Sequence, residues 1–483
     1  MENENISKFT IARATLMNLV GNEKISWHML YTSIFKSLTA SYDNFKFNFS
    51  SSSSVDFKYN FKIYFCNFII AFCIFHFRKS DSLLNSQLWA EDGVIFLRSE
   101  WVIGFPETLL IPYAGYLHFV PRLTASIANF FPFEFIPFIF NFMAMVIAAI
   151  SVSLFSLVNF RYLVNNDFLR SLIVILISFV PVGYESINNI TNVHFFLSFG
   201  FFLLALIGGK LSGISYFCIL VYSVLAILSA PLAIFYLPFY LIRFFLHKTD
   251  RYTWLYGIIF ILGLIYGITI FLTGAKREIT PIDWNFLTNI LNIEKLIRVS
   301  LLVYLGEENT FMALSYVKYF WIFEIVLFYF FCKNFVQFGI GNTFLIVGYI
   351  VAIFVPILLR GAFVVHDEQA LLVMLTNGSK DSIYFLNVVK ILLARYGLVP
   401  YFIFCLIIFS NIFPGKISIK TSSIILILFI LYFYLIKNSV FIKPFEELNW
   451  GSYSKQVRGK EDVLIPINPK WYTGIHIRKD EWR

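Results

Sequence analysis

The sequence predicts an all-α polytopic membrane protein, and three observations lead there. Of 483 residues, 58% are hydrophobic and only 14% charged, and the mean hydropathy is +0.74, a balance that a chain surrounded by water does not sustain. Apolar runs recur along the chain, many approaching the roughly 20 residues needed to cross about 30 Å of hydrocarbon. The short connections between them alternate between those that contain Lys or Arg and those that contain neither, as loops on alternating sides of a bilayer do.

Residues 1–60 carry Lys8, Arg13, Lys24, Lys36, Lys46 and Lys58 and close on a serine run at 50–54, which reads as a cytoplasmic extension. This stretch is mixed and polar with no early apolar core, so no cleavable signal peptide is expected and the first span serves as signal anchor. Spans are expected near 61–77, 133–158, 169–183, 195–208, 214–228, 232–246, 254–273, 317–331, 344–359, 398–413 and 422–436, about eleven in all. The transmembrane domain then covers 61–436. Outer loops lie at 78–132, 274–316 and 361–396, and a small extracytoplasmic tail at 437–483.

Orientation follows from the basic residues. With the N-terminus inside, the cytoplasmic connections hold Arg161 and Arg170, Lys210, the group Arg243, Lys248 and Arg251, then Lys333, then Lys416 and Lys420. The intervening connections at 185–194 and 229–231 hold no Lys or Arg. Arg78 and Lys79, at the outer end of the first span, run against the rule. Much of the net charge of +9 is thereby assigned to the cytoplasmic side of a membrane, and nucleic acid is excluded as the expected partner. The five cysteines, Cys66, Cys73, Cys218, Cys332 and Cys405, all sit in apolar runs without metal-ligand spacing, so neither a disulfide framework nor a zinc site is expected. Apolar patches at 116–131 and 291–305 read as helices lying along the membrane interface.

The candidate chemistry begins at Trp89-Ala90-Glu91-Asp92-Gly93, just outside the first span. A carboxylate there can act as general base toward an acceptor hydroxyl, and two adjacent acids repel, which raises one pKa. Asp92 and Glu91 are both candidates, and neighbours on a turn point different ways, so one of them faces the site. The plain alternative is a pair of solvated loop charges. Gly93 suits a tight turn, and Trp89 suits an interfacial anchor or a ring on which a sugar stacks.

A phosphate leaving group needs cations near the same face. Arg98, Arg122, Lys276, Arg277, Arg360 and Arg395 are placed there, each also suited to snorkelling toward lipid headgroups. The polar segment 185–194, with Asn188, Asn189, Asn192 and His194, could bind sugar hydroxyls or simply join two helices. Tyr396 follows Arg395 at the entrance of a span. The acidic pairs Glu307-Glu308 and Asp367-Glu368 read as solvated charge ahead of metal or substrate ligands, so no metal site is assigned, and Glu324 is a lone acid inside an apolar run. In the tail, Trp450, Tyr453, Ile465-Pro466-Ile467-Asn468-Pro469, Trp471 and Tyr472 suit either sugar stacking or docking on the interface.

The acidic pair in Trp89-Ala90-Glu91-Asp92-Gly93 resembles the first extracytoplasmic loop of the GT-C glycosyltransferases, polytopic enzymes that use polyprenyl-phosphate sugars. The surrounding motifs are closer to one bacterial branch: Pro112-Tyr113-Ala114-Gly115-Tyr116 with Pro121-Arg122, Asn188 to His194, Leu228-Ser229-Ala230-Pro231, Ala394-Arg395-Tyr396, and Ile465-Pro466-Ile467-Asn468-Pro469 before Trp471. The pattern resembles the serotype-converting O-antigen glucosyltransferases of enteric bacteria and their phages, from about Lys62 to the end.

What that resemblance implies is a GT-C-like enzyme of the bacterial inner membrane with its site facing the periplasm. It would move glucose, with inversion, from undecaprenyl-phosphate glucose to a hydroxyl of lipid-linked O-antigen, alongside the flippase and the donor synthase of the same pathway. Asp92 would be the base and Glu91 the second candidate. Arg395, Arg360, Arg122 and Arg98 would hold the departing phosphate, and Trp89, Asn192, His194 and Tyr396 the sugar. No cofactor beyond the lipid-linked donor is implied, and metal dependence is left undecided. Two rivals stay open: an O-antigen polymerase or other lipid-linked sugar transferase, and a non-enzymatic flippase, although neither paired repeats nor a charged central path is evident.

Overall fold

The computed structural model describes residues 57–209, 213–246, 253–273, 303–306, 340–359, 395–412, 419–458 and 463–474. Among these the protein is helical apart from one two-stranded hairpin. The long helices are α1 (Phe57–Arg78), α2 (Phe119–Ala128), α3 (Ile136–Ser153), α4 (Asp167–Ser178), α5 (His194–Leu206), α6 (Gly213–Ser229), α7 (Leu237–Leu246), α8 (Trp254–Thr273), α9 (Ile340–Leu359), α10 (Leu398–Ile412) and α11 (Ile419–Val440). The hairpin pairs β1 (Ile465–Ile467) with β2 (Trp471–Thr473), antiparallel, Ile467 opposite Trp471.

Helix α5 is the axis of the bundle. Every residue from Phe195 to Leu206 is buried, with α3, α6 and α10 packed around it. Large apolar side chains on α1, α8 and α11 face outward instead, Phe61, Ile265, Phe271 and Leu431 each more than half exposed, which is the pattern of a surface that meets lipid. Local chemistry sets the helix ends. Asn166 caps α4 by accepting the Leu169 amide at 3.1 Å, and Pro231 separates α6 from α7 with a 115° bend.

The two ends of the bundle differ chemically. At the start of α1, Tyr59 donates to Asp167 at 2.8 Å, and Asp167 also pairs with Arg161 and Arg170, which holds its carboxyl far below the ordinary range. Arg243 donates to the Ala205 carbonyl, so Arg161, Arg170 and Arg243 gather at this end. At the other end of α1, Arg78 is buried and donates to three carbonyls: Val440 at 3.0 Å, Ser178 at 2.9 Å and Val180 at 2.7 Å. Two of these close α4 and α11, whose last carbonyls have no partner within their own helices. The interior role of Arg78 is thus to cap helix ends.

The eleven expected spans reduce to fewer. Among the described residues, three helices are long and apolar enough to cross a membrane, 57–78, 133–156 and 254–272, and the bent pair 213–229 with 231–245 makes up to four. Ten of the expected stretches do contain helices; the eleventh, 317–331, lies outside the described residues. The reason for the smaller count is length and burial. The 13 residues of α5 rise about 20 Å, and a helix enclosed by protein on every side is as apolar as one that meets lipid. The expected interfacial patch at 116–131 packs on the bundle over its helical part. There α2 buries Val120, Arg122, Thr124, Ala125 and Ser126 against the bundle, and the other expected patch, 291–305, is described only from 303.

Candidate functional site

Just beyond α1 the chain turns sharply at Ala90, whose φ is +39°, and enters a short π-helix, Asp92–Leu97. The Arg98 amide reaches back five residues to the Gly93 carbonyl, the bond that defines this rare winding, which is found disproportionately at functional positions. The C-terminal hairpin holds this segment from outside. Ala90 donates to the Asn468 carbonyl at 2.6 Å, Asn468 returns its amide to Leu88 at 3.2 Å, and the Thr473 hydroxyl donates to the Gly93 carbonyl at 2.8 Å. Gly93 eases that approach, because a Cβ there would lie 2.8 Å from Ile467 Cδ1. Gly93 also closes the turn at Ala90, its amide donating to the Ala90 carbonyl at 3.2 Å.

Asp92 is 1% exposed. Its Oδ1 accepts both the backbone amide of Thr191, at 3.0 Å, and the Thr191 hydroxyl, while Oδ2 is buried with no hydrogen-bond partner. Burial pushes the carboxyl up to about 7; the Thr191 hydroxyl opposes this, Glu91 adds to it, and Lys79 pulls it down. Glu91 is only half-buried. The two acids are therefore inequivalent, one enclosed and one partly solvated.

Thr191 belongs to the polar connection 185–194, which is buried and internally bonded. Asn188, in the left-handed region at φ +56°, donates to the Phe75 carbonyl and to Ser82, and Asn189 and Asn192 both donate to the Glu185 carbonyl at 3.1 Å. The side-chain oxygens of Asn188 and Asn192 are buried without a partner, like Asp92 Oδ2. His194, at the first turn of α5, shares a 3.0 Å hydrogen bond between Nδ1 and the Thr191 carbonyl.

A cationic and aromatic wall adjoins the π-helix. Pro112-Tyr113-Ala114-Gly115-Tyr116 is a tight hairpin turn with Ala114 and Gly115 both at positive φ, closed by reciprocal hydrogen bonds between Tyr113 and Tyr116. Tyr116 stacks on His118, whose ring lies 6.5 Å from that of His194. Burial and the neighbouring His194 hold His118 well below its ordinary value, so it is neutral near pH 7. Arg122 is buried, donates to the Leu117 carbonyl at 3.1 Å and Thr108 at 3.4 Å, and lies over Phe96; burial lowers it to about 10, which leaves it charged. Ser229 of the Leu228-Ser229-Ala230-Pro231 motif accepts the Val120 amide at 2.9 Å, which caps α2.

The other expected residues fall around this core. Trp89 stacks on Phe445 of the tail, with ring centroids 4.6 Å apart, and the Lys79 ammonium lies 3.2 Å from the same Phe445 centroid. Arg98 is half-buried at the end of the π-helix, and burial lowers its pKa. Arg395 pairs with Glu185 at 3.6 Å and lies over Tyr396, whose ring meets Phe195 edge-on, so Arg395 already has an anionic partner inside the protein. Trp450 stacks on Phe133 at 4.5 Å and donates to its carbonyl, a docking role. Arg360, Lys276, Arg277, Glu307, Glu308, Glu324, Asp367 and Glu368 lie outside the described residues. Thr191 and Lys79 are the participants that sequence reasoning passed over. A threonine inside a largely polar connection, and a lysine at the end of the first apolar run where the expected orientation disfavours one, are the signals that pointed to them. Compared with known proteins, the chain matches no family model and no curated protein.

Proposed function

We propose that this chain is a membrane-embedded glycosyltransferase that takes a sugar, glucose by resemblance, from a polyprenyl-phosphate donor to a hydroxyl of a lipid-linked glycan on the periplasmic side. The observation that carries this reading is the Asp92 carboxylate. It is enclosed and fixed through Oδ1 by Thr191, and its buried Oδ2 has no hydrogen-bond partner and can take a proton near pH 7.

In that reaction the acceptor hydroxyl gives its proton to Asp92 Oδ2 as its oxygen bonds to the anomeric carbon. The bond from that carbon to the phosphate oxygen breaks on the opposite face, so configuration inverts and the lipid phosphate leaves with the bonding electrons. Arg122, buried and charged beside the π-helix, and Arg98 at its end are the described cations suited to the phosphate. Arg395 would first have to exchange Glu185 for the ligand. Oδ2 is enclosed, so the acceptor must displace part of its cover to reach it.

The test is transfer in membranes from labelled undecaprenyl-phosphate glucose to lipid-linked O-antigen, with wild type, Asp92→Asn and Glu91→Gln compared. Asp92→Asn should lose about a hundredfold or more, the ordinary worth of a general base, and Glu91→Gln should retain most of the activity. Unimpaired transfer by Asp92→Asn would remove the assignment. A change in glycan chain length without side-branch glucosylation would favour the polymerase.

A further inference from the structure

Two exposed apolar turns flank α2 in the chain. The first, 102–110, follows the π-helix and its short helical continuation, and it presents Val102, Ile103, Phe105 and Leu110, the last 69% exposed. The second joins α2 to α3 and presents Phe130, 83% exposed, and Phe131. Trp101, just before the first turn, stacks on Phe133, just after the second, with ring centroids 6.2 Å apart, and Arg122 of α2 donates to Thr108 at 3.4 Å. Trp450 of the tail packs on the same Phe133 ring at 4.5 Å. The two turns thus form one ledge, fixed from within and bare on its outer side, and bare apolar surface of this extent marks a contact.

We infer that this ledge inserts into one leaflet of the bilayer and that its partner is lipid hydrocarbon. Two observations fix the partner. Phe133 opens the membrane-length helix 133–156, whose 24 residues rise about 36 Å against about 30 Å of hydrocarbon, so its ends reach the boundary between acyl chains and headgroups. Phe130 and Phe131 directly precede that end, and the Trp101 stack brings 102–110 to the same depth. The second observation is charge. No Lys or Arg occurs between Arg98 and Arg122, nor again until Arg161, and the exposed charges on the ledge are the acids Glu107 and Glu134. Attraction to anionic headgroups is therefore not the drive; removal of apolar side chains from water is.

The inference rests on the membrane reading of the long helices and not on the sugar chemistry. It differs from what the sequence suggests, which is that α2 itself lies along the interface: α2 is packed into the bundle, and the turns on either side of it reach lipid. It also sets a depth for the acidic segment. The windings Asp92–Leu97 and Arg98–Val102 are consecutive, so Asp92 stands about 15 Å or less from Val102. The acidic segment is thereby held close to the level of the lipid headgroups, within reach of the polar head of an amphiphile.

The experiment is spin labelling of the full-length protein in nanodiscs, with Cys66, Cys73, Cys218, Cys332 and Cys405 replaced by alanine. Single labels are carried by Phe105→Cys and Phe130→Cys on the ledge, by Ile265→Cys on the outward face of α8, and by Lys470→Cys on the exposed turn of the hairpin. Power saturation compares collisions with oxygen, which concentrates in hydrocarbon, and with a water-soluble nickel chelate. The oxygen-to-nickel ratio at both ledge positions should be several-fold above that at Lys470 and below that at Ile265, equally in neutral phosphatidylcholine and in discs containing anionic phosphatidylglycerol. Leu110→Cys and Phe131→Cys are the second labels should a first one fail to fold. Ledge ratios equal to that of Lys470, with Ile265 in hydrocarbon, overturn the inference and leave this face to a protein partner. Hydrocarbon contact confined to the anionic discs also overturns it, because charge would then be the drive. A water-like ratio at Ile265 as well removes the membrane reading and the inference together.

Discussion

Thr191 gives both its backbone amide and its hydroxyl to the same oxygen of Asp92, 99 residues earlier in the chain. Two donors on one carboxylate oxygen stabilise the ionised form, against the burial that disfavours it. Thr191→Val removes the hydroxyl and keeps the shape, so the Asp92 pKa should rise and the acid limb of the pH–rate profile should move to higher pH. Thr191→Ser should leave the limb in place. Profiles of the three proteins in one membrane preparation check this, and a common acid limb would show that the hydroxyl does not act on Asp92.

Asp92 also makes a signed prediction about stability. Its folded pKa, about 7, lies above the ordinary carboxylate value of 3.8, so the folded state holds the proton more tightly than the unfolded chain. The contribution is fully present below about pH 4 and is lost as pH rises through 7. Above that pH the charged carboxylate costs on the order of 4 kcal/mol, from about three pKa units at 1.36 kcal/mol each. Asp92→Asn can still accept both Thr191 bonds and carries no charge. It should therefore melt higher than wild type at pH 8 in detergent, with the gap closing toward pH 5. Equal melting temperatures at pH 8 would mean that Asp92 is not carrying a buried charge.

Arg78 invites the opposite test. Its guanidinium satisfies the Val440, Ser178 and Val180 carbonyls in the interior, and those acceptors have no water to turn to. Arg78→Met should cost roughly 3 kcal/mol or more and reduce the folded yield, and Arg78→Lys should recover only part of it, because one ammonium cannot reproduce the planar fork. Monodisperse recovery by size-exclusion chromatography measures both. Wild-type recovery of Arg78→Met would show that the carbonyls find other donors.

The acidic pair stood out in the sequence because Glu91 and Asp92 are adjacent carboxylates in the first connection after an apolar run, in a chain with few charges. Its partners did not. Thr191 is one polar residue among several at 185–194, and Phe445 one aromatic among many in the tail; only chain folding over 99 residues and more decides which meets Asp92 or Lys79. The helical character was legible too. The number of crossings was not, because α5 is enclosed by α3, α6 and α10, and an apolar run does not record whether lipid or protein surrounds it.

The hold of the tail on the acidic segment reduces to one close approach that a single atom can test. Gly93 has no Cβ; adding one would place it 2.8 Å from Ile467 Cδ1 and 3.5 Å from Thr473 Cβ. The clash is with the far end of a flexible side chain, so the hairpin can yield at a cost rather than detach. Gly93→Ala should lower stability by about 1–3 kcal/mol, the usual cost of overpacking. Ile467→Val deletes Cδ1 and alone should cost about 1 kcal/mol. If the two residues meet as described, Gly93→Ala combined with Ile467→Val should recover much of the loss, because the added methyl fills the space of the one removed. Thermal melts of the four proteins close the cycle, and strictly additive losses would show that the hairpin does not rest on Gly93.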